Sequence, residues 1–181
     1  MKKIVKLTLI LLLVSAVMAG VLGVVNNFTA PIIEQIQYEK TMRSYAAVLE
    51  APGYDDVTES YTGGNKIITK ISTASDGAGY VCETYFSGAQ GMITMVVGVS
   101  PDYTCTGISI TAHSETSGLG AVAASKGADG EAYRAQYVGV DSSAALSKSG
   151  GTIDAITGAT ITSRAVTETV VACIEAVQSL G

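Results

Sequence analysis

The stretch Asp154-Ala155-Ile156-Thr157-Gly158-Ala159-Thr160-Ile161-Thr162-Ser163 runs directly into residues 163–180, where Val166, Val170, Ile174 and Val177 share one helical face. Gly158 lets the backbone turn tightly, and hydroxyls gather at Thr157, Thr160, Thr162 and Ser163. All of them stand at the start of a helix, where free N–H groups and the helix dipole favour an anion such as phosphate. Asp154 adds a carboxylate a few residues upstream. The plainer reading of the same residues is that Thr162 or Ser163 caps the terminal helix.

Outward from that helix, Lys148-Ser149-Gly150-Gly151 reads as a flexible break and residues 128–138 as a short helix. Residues 66–72, 79–86, 92–99 and 105–111 are short β-like runs separated by glycine-bearing turns. Between the last run and the short helix lies His113-Ser114-Glu115-Thr116-Ser117-Gly118-Leu119-Gly120, within an irregular loop at 112–120. It gathers an imidazole, a carboxylate, hydroxyls and two glycines that let backbone approach a flat ligand. A serine hydrolase would need a G-x-S-x-G elbow, which is absent, and a His–Glu metal site lacks further ligands at sensible spacing. The pattern predicts an α+β domain with a mostly antiparallel sheet flanked by helices.

At the other end, residues 7–25, LTLILLLVSAVMAGVLGVV, carry no charged side chain. As a helix this run roughly matches a ~30 Å hydrocarbon core. Lys2, Lys3 and Lys6 precede it, and the positive-inside rule holds that end in the cytoplasm. A leader cleaved after Ala19 and a buried core helix are the competing readings. Pro31 suits the first turn of a second helix, with Ile32, Ile33, Ile36, Met42, Tyr45, Ala46 and Leu49 at helical spacing up to Pro52-Gly53.

Of the 181 residues 48% are hydrophobic and 15% charged, which excludes a disordered tail. The net charge is −5, and all sixteen acids lie beyond the apolar run with eight of the eleven basic residues. A body so acidic repels phosphate backbones, so nucleic acid is not expected as a partner. Cys82, Cys105 and Cys173 form no C-x-x-C pair and no metal spacing, and read as small apolar fillers.

Asp154 with Thr157-Gly158-Ala159-Thr160 resembles the flavinylation motif D-x-x-[ST]-G-A-T of covalent FMN-binding domains, and His113–Gly120 is similar to their companion loop H-x-E-T-P-G-L-G. Ser117 stands where that loop has proline. Such domains occur in the G subunit of the Rnf complex and the C subunit of the sodium-pumping NADH:quinone reductase. The short chain is more similar to the former. The resemblance implies FMN joined by its phosphate to the hydroxyl of Thr160, installed from FAD by a flavin transferase. Asp154, Thr157, Gly158 and Ala159 match the recognition part of the motif. Glu115, Thr116, Leu119 and Gly120 match the loop lining the isoalloxazine, with Gly79-Tyr80 and the 91–99 strand as a candidate second wall. The implied organisation is a membrane anchor over 1–26, a juxtamembrane helix over 27–52 and an extracytoplasmic FMN domain over 53–181. The chain would be a single-pass electron carrier in a prokaryotic cell membrane, with no catalytic residue or metal of its own. Its partners would be the integral membrane and iron–sulfur or flavin subunits of a ferredoxin:NAD⁺ oxidoreductase that moves Na⁺ or H⁺. A quinone-reductase subunit and a solitary FMN-dependent reductase are the alternatives.

Overall fold

The computed structural model describes residues 2–180. It divides between residues 42 and 43 into an N-terminal helical unit and a domain. The helix α1 spans Lys2–Ala46 with its apolar side chains, Ile4 through Ile36, exposed. It is long and apolar enough to cross a membrane. The break expected before Pro31 is absent, because Pro31 lies inside this one continuous helix. Proline removes one i→i−4 bond, but no glycine or second proline adjoins it to complete a break. The helix stops at Ala46 in a turn, short of Pro52, with Leu49 N–H donating to Tyr45 C=O.

The domain is built on strands β1 (Tyr54–Asp56), β2 (Ile68–Ala74), β3 (Tyr80–Ser87), β4 (Met92–Val99) and β5 (Cys105–His113). They form one antiparallel sheet in sequence order. The short helix α2 spans Ala128–Ala135, and α3 spans Thr160–Gln178. Side chains alternate between the faces of a strand. Ile71, Cys82, Phe86, Ile93, Met95, Val97 and Ile108 therefore meet the Val166, Val170, Cys173, Ile174 and Val177 stripe of α3 in the core. The three cysteines are buried there as free thiols, and burial pushes Cys105 up to about 12. Strand β1, unmarked by any hydrophobic alternation, has no fully buried residue and pairs at the sheet edge.

The opposite face is covered locally by the end of α1 and the residues that follow it. Tyr45, Val48 and Leu49 are buried with Val81 and Val96, outside the main core. Tyr45 donates to Glu83 Oε1 at 2.6 Å, Thr106 Oγ1 donates to Val48 C=O, and Tyr54 Oη donates to Leu49 C=O. Gly98 and Gly107 sit opposite each other on β4 and β5 beneath Val48. Their missing side chains let this backbone approach the sheet.

Candidate functional site

The loop before α3 is pinned from both sides. Leu146 bridges Ile153, and Asp154 N–H donates to Gln136 Oε1 at 2.7 Å from the end of α2. Gly158 turns the chain at φ 77°, where glycine costs nothing sterically. The helix then begins at Thr160, earlier than the apolar periodicity alone indicates. Its N-cap is Ala159, which provides no side-chain hydrogen bond, so the expected cap by Thr162 or Ser163 is not what forms. Both are buried inside the helix. Ser163 Oγ donates to Ala159 C=O and accepts from Ile156 N–H, each at 3.0 Å, which fixes the turn from within. Among the described residues no side chain caps the first-turn N–H groups, and the half-buried Thr160 and exposed Ile161 stand beside them. This donor set fits a phosphate, which meets uncapped N–H groups at the positive end of a helix dipole.

The second motif loop reaches this turn through one carboxylate. Glu115 is only 8% exposed. Its Oε2 accepts from Thr162 Oγ1 at 2.6 Å, and its Oε1 accepts from Gln90 N–H at 3.0 Å in the β3–β4 turn. Burial pushes the carboxyl up, but hydrogen bonds from Thr162 and from the Gln90, Ala89 and Gly91 backbone outweigh it and hold the group below the ordinary carboxylate range. A carboxyl lowered on folding stabilises the protein above its unfolded value of about 4.3, and that contribution disappears as pH falls through the lowered folded value. Urea midpoints taken at pH 6 and pH 3.5 should therefore fall further for the parent chain than for Glu115→Gln. Equal falls would show that the carboxylate is not held in this way.

Thr116, Ser117 and Gly118 are exposed, with Gly118 at φ 76°. The loop closes by Leu119 N–H to Thr116 C=O at 3.2 Å, so Ser117 leaves the turn intact without proline. Leu119 is 42% exposed and lies over Gly158, where an added methyl group would approach Leu119 Cδ2 at 2.9 Å. Gly120 is buried against Glu115 and Thr162.

Both loops border an open cavity of about 600 Å³ with α2 as its other wall. Gly118 comes from one motif, Asp154 to Thr157 from the other, Tyr133 from α2 and Gln136 from its C-terminal cap. This volume is in the range of small-molecule and cofactor sites. Tyr133 is anchored by its hydroxyl to Tyr137 at 2.8 Å, and Tyr137 to Thr167 of α3 at 2.9 Å. Gly79-Tyr80 does not join the site: Tyr80 pairs with Val99 at the far end of the sheet from Ile93 and His113. The turn Ala89–Gly91, at the other end of these strands, is the part of the sheet that reaches Glu115. Tyr85 lies with Met92, Lys66 and Glu168 around a separate cavity of about 500 Å³. Tyr133 and Gln136 enter the site by tertiary packing, with only the expected 128–138 helix to point to them, and Thr162, already marked by its place in the hydroxyl cluster, turns out to be bonded to Glu115.

Residues 88–175 match the FMN-binding domain family, and residues 1–48 match the RnfG N-terminal region. Fold, site and matches together define a membrane-anchored FMN-binding protein. The G subunit of an ion-translocating oxidoreductase complex from Methanosarcina acetivorans is 32% identical over 98% of this chain and 96% of its own length. The G subunit of the Na⁺-translocating ferredoxin:NAD⁺ oxidoreductase complex of Acetobacterium woodii is 34% identical over 99% and 94%. Its counterpart in the proton-translocating complex of Clostridium ljungdahlii is 31% identical over 87% and 82%. The chain belongs to this family, the G subunits of Rnf complexes.

Proposed function

We propose that this chain is the electron-transfer subunit of an ion-translocating ferredoxin:NAD⁺ oxidoreductase complex and carries FMN covalently on Thr160. The observation that carries the reading is the uncapped first turn of α3, with Thr160 at its opening. The hydroxyls of Thr162 and Ser163 are engaged inward, whereas that of Thr160 is bonded to no other described residue. Attachment forms a bond from Thr160 Oγ1 to the FMN phosphorus of FAD. It breaks the pyrophosphate link, releases AMP and passes the hydroxyl proton to a base of the flavin transferase. Once bound, the flavin supplies one- and two-electron chemistry that no side chain of this domain possesses.

The chain's own residues hold and orient. First-turn N–H groups of α3 would hold the phosphodiester, and Asp154, Thr157, Gly158 and Ala159 would present the turn to the transferase. Thr116, Leu119 and Gly120 would border the ring together with the wall around Tyr133. With Lys2, Lys3 and Lys6 retained in the cytoplasm, the domain faces outward, where covalent attachment prevents loss of the flavin. The other subunits of the complex then exchange electrons with it at the membrane surface. Peptide mass mapping of the protein from its native membrane is expected to place FMN less one water on the 154–164 peptide. An unmodified peptide from a cell that contains the transferase overturns the reading.

A further inference from the structure

Glu115 is a buried carboxylate whose described partners are neutral donors: the Thr162 hydroxyl and backbone N–H groups of the 89–91 turn. Burying a charge without a cation is costly, and an apolar contact of similar shape holds two segments together at least as well. The surroundings are nevertheless shaped around it. A methyl carbon on Gly88 would come within 2.3 Å of Oε1, and one on Gly120 within 2.3 Å of Oε2. The same carboxylate joins the β3–β4 turn, its own loop and the first turn of α3. Thr162 and Thr160 are two positions apart on that helix, so about 200° of rotation separates them. A bond that fixes Thr162 inward fixes Thr160 outward.

We infer that Glu115 is a positioning residue for flavin attachment, acting through Thr162. It holds the α3 first turn so that the Thr160 hydroxyl and the uncapped N–H groups face the incoming phosphorus together. It also withdraws the Thr162 hydroxyl, the competing acceptor on the same turn. This rests on Thr160 being the flavin acceptor, and it reassigns Glu115 from a ring-lining residue to one that shapes the attachment turn.

The test follows the initial rate of FMN incorporation into the full-length chain, by peptide mass, in membranes supplied with transferase and FAD. Thermal midpoints are taken on the same samples. Glu115→Gln and Thr162→Val are expected to load about tenfold more slowly or worse, as misplacement of a reacting group commonly does. The double variant should load no more slowly than the slower single variant, because both remove one contact. Thr162→Ser, which keeps the hydroxyl, should restore most of the rate. Val170→Ala, a core truncation further along α3, should lower the midpoint and leave loading unchanged. Loading of Glu115→Gln and Thr162→Val within twofold of the parent overturns the inference, as does equal slowing by Val170→Ala. If Glu115→Gln fails to accumulate, Thr162→Val decides, since it exchanges only a hydroxyl for a methyl group. A parent chain that loads nothing, or a Thr160→Ala chain that still loads, overturns the acceptor assignment and this inference with it.

Discussion

Thr160→Ala is expected to remove covalent flavin completely while leaving the domain folded. The side chain is half-buried at the first position of α3, and alanine is at least as good a helix former there. The stability change should stay within about 0.5 kcal/mol, as for ordinary substitutions outside the core. What disappears is the one hydroxyl in the first turn of α3 that is bonded to no described residue. Thr162 cannot substitute, being fully buried and committed to Glu115. Thr157 stands on the far side of Gly158, outside the helix. Thr160→Ser keeps a hydroxyl and should load. The check is intact mass with peptide mapping, beside a thermal melt of the same preparation. Flavin found on Thr157 or Thr162 in the alanine variant would show that the helix start does not select the acceptor.

Gly98→Val should detach the residues after α1 from the sheet, whereas Gly107→Ala should be tolerated. The two glycines are register partners under the same backbone, yet their surroundings differ. A first side-chain carbon at Gly98 would lie 2.6 Å from the Val48 carbonyl oxygen and 2.2 Å from Thr106 Oγ1. At Gly107 the nearest atom is Val48 Cα at an ordinary 3.6 Å. Valine at 98 must therefore displace Val48 and break the Thr106 hydrogen bond, weakening the burial of Tyr45 and Leu49. The expected loss is about 3 kcal/mol, with Gly107→Ala below about 1 kcal/mol. Urea unfolding of the detergent-solubilised chain measures both. Limited proteolysis should cut Gly98→Val between Ala47 and Pro52, where the parent resists. Equal behaviour of the two variants would show that this close approach does not hold the segment down.

The sequence carried those parts of the fold that depend on local pattern. Strand β4 begins and ends where its apolar run does, and the face of α3 holding Val166, Val170, Ile174 and Val177 is the face that meets the sheet. Local pattern misled where tertiary contacts decide. Thr162 and Ser163 have the composition of caps, but Glu115 and Ala159 draw their hydroxyls inward, and the helix begins before them. Pro31 has the look of a helix start, yet the apolar segments on either side continue through it. Gly79-Tyr80 has the glycine turn expected of a second wall, but the strand register puts it at the wrong end of the sheet. The motif residues themselves were legible because both loops have unusual composition. The bond between them was not, since nothing local joins residues 47 positions apart.

The sheet runs in sequence order, each strand beside its predecessor, so its hydrogen bonds can form between near neighbours as the chain grows. The helix that covers its apolar face is made after every strand. Thr160 acquires its geometry only when that helix docks and Glu115 meets Thr162, after every strand is in place. A chain truncated before residue 160, or one that has misfolded, contains most of the domain and still offers no finished acceptor. If Thr160 carries the flavin as proposed, a loaded chain is in that sense a record of completed folding, written on an element that docks after the sheet.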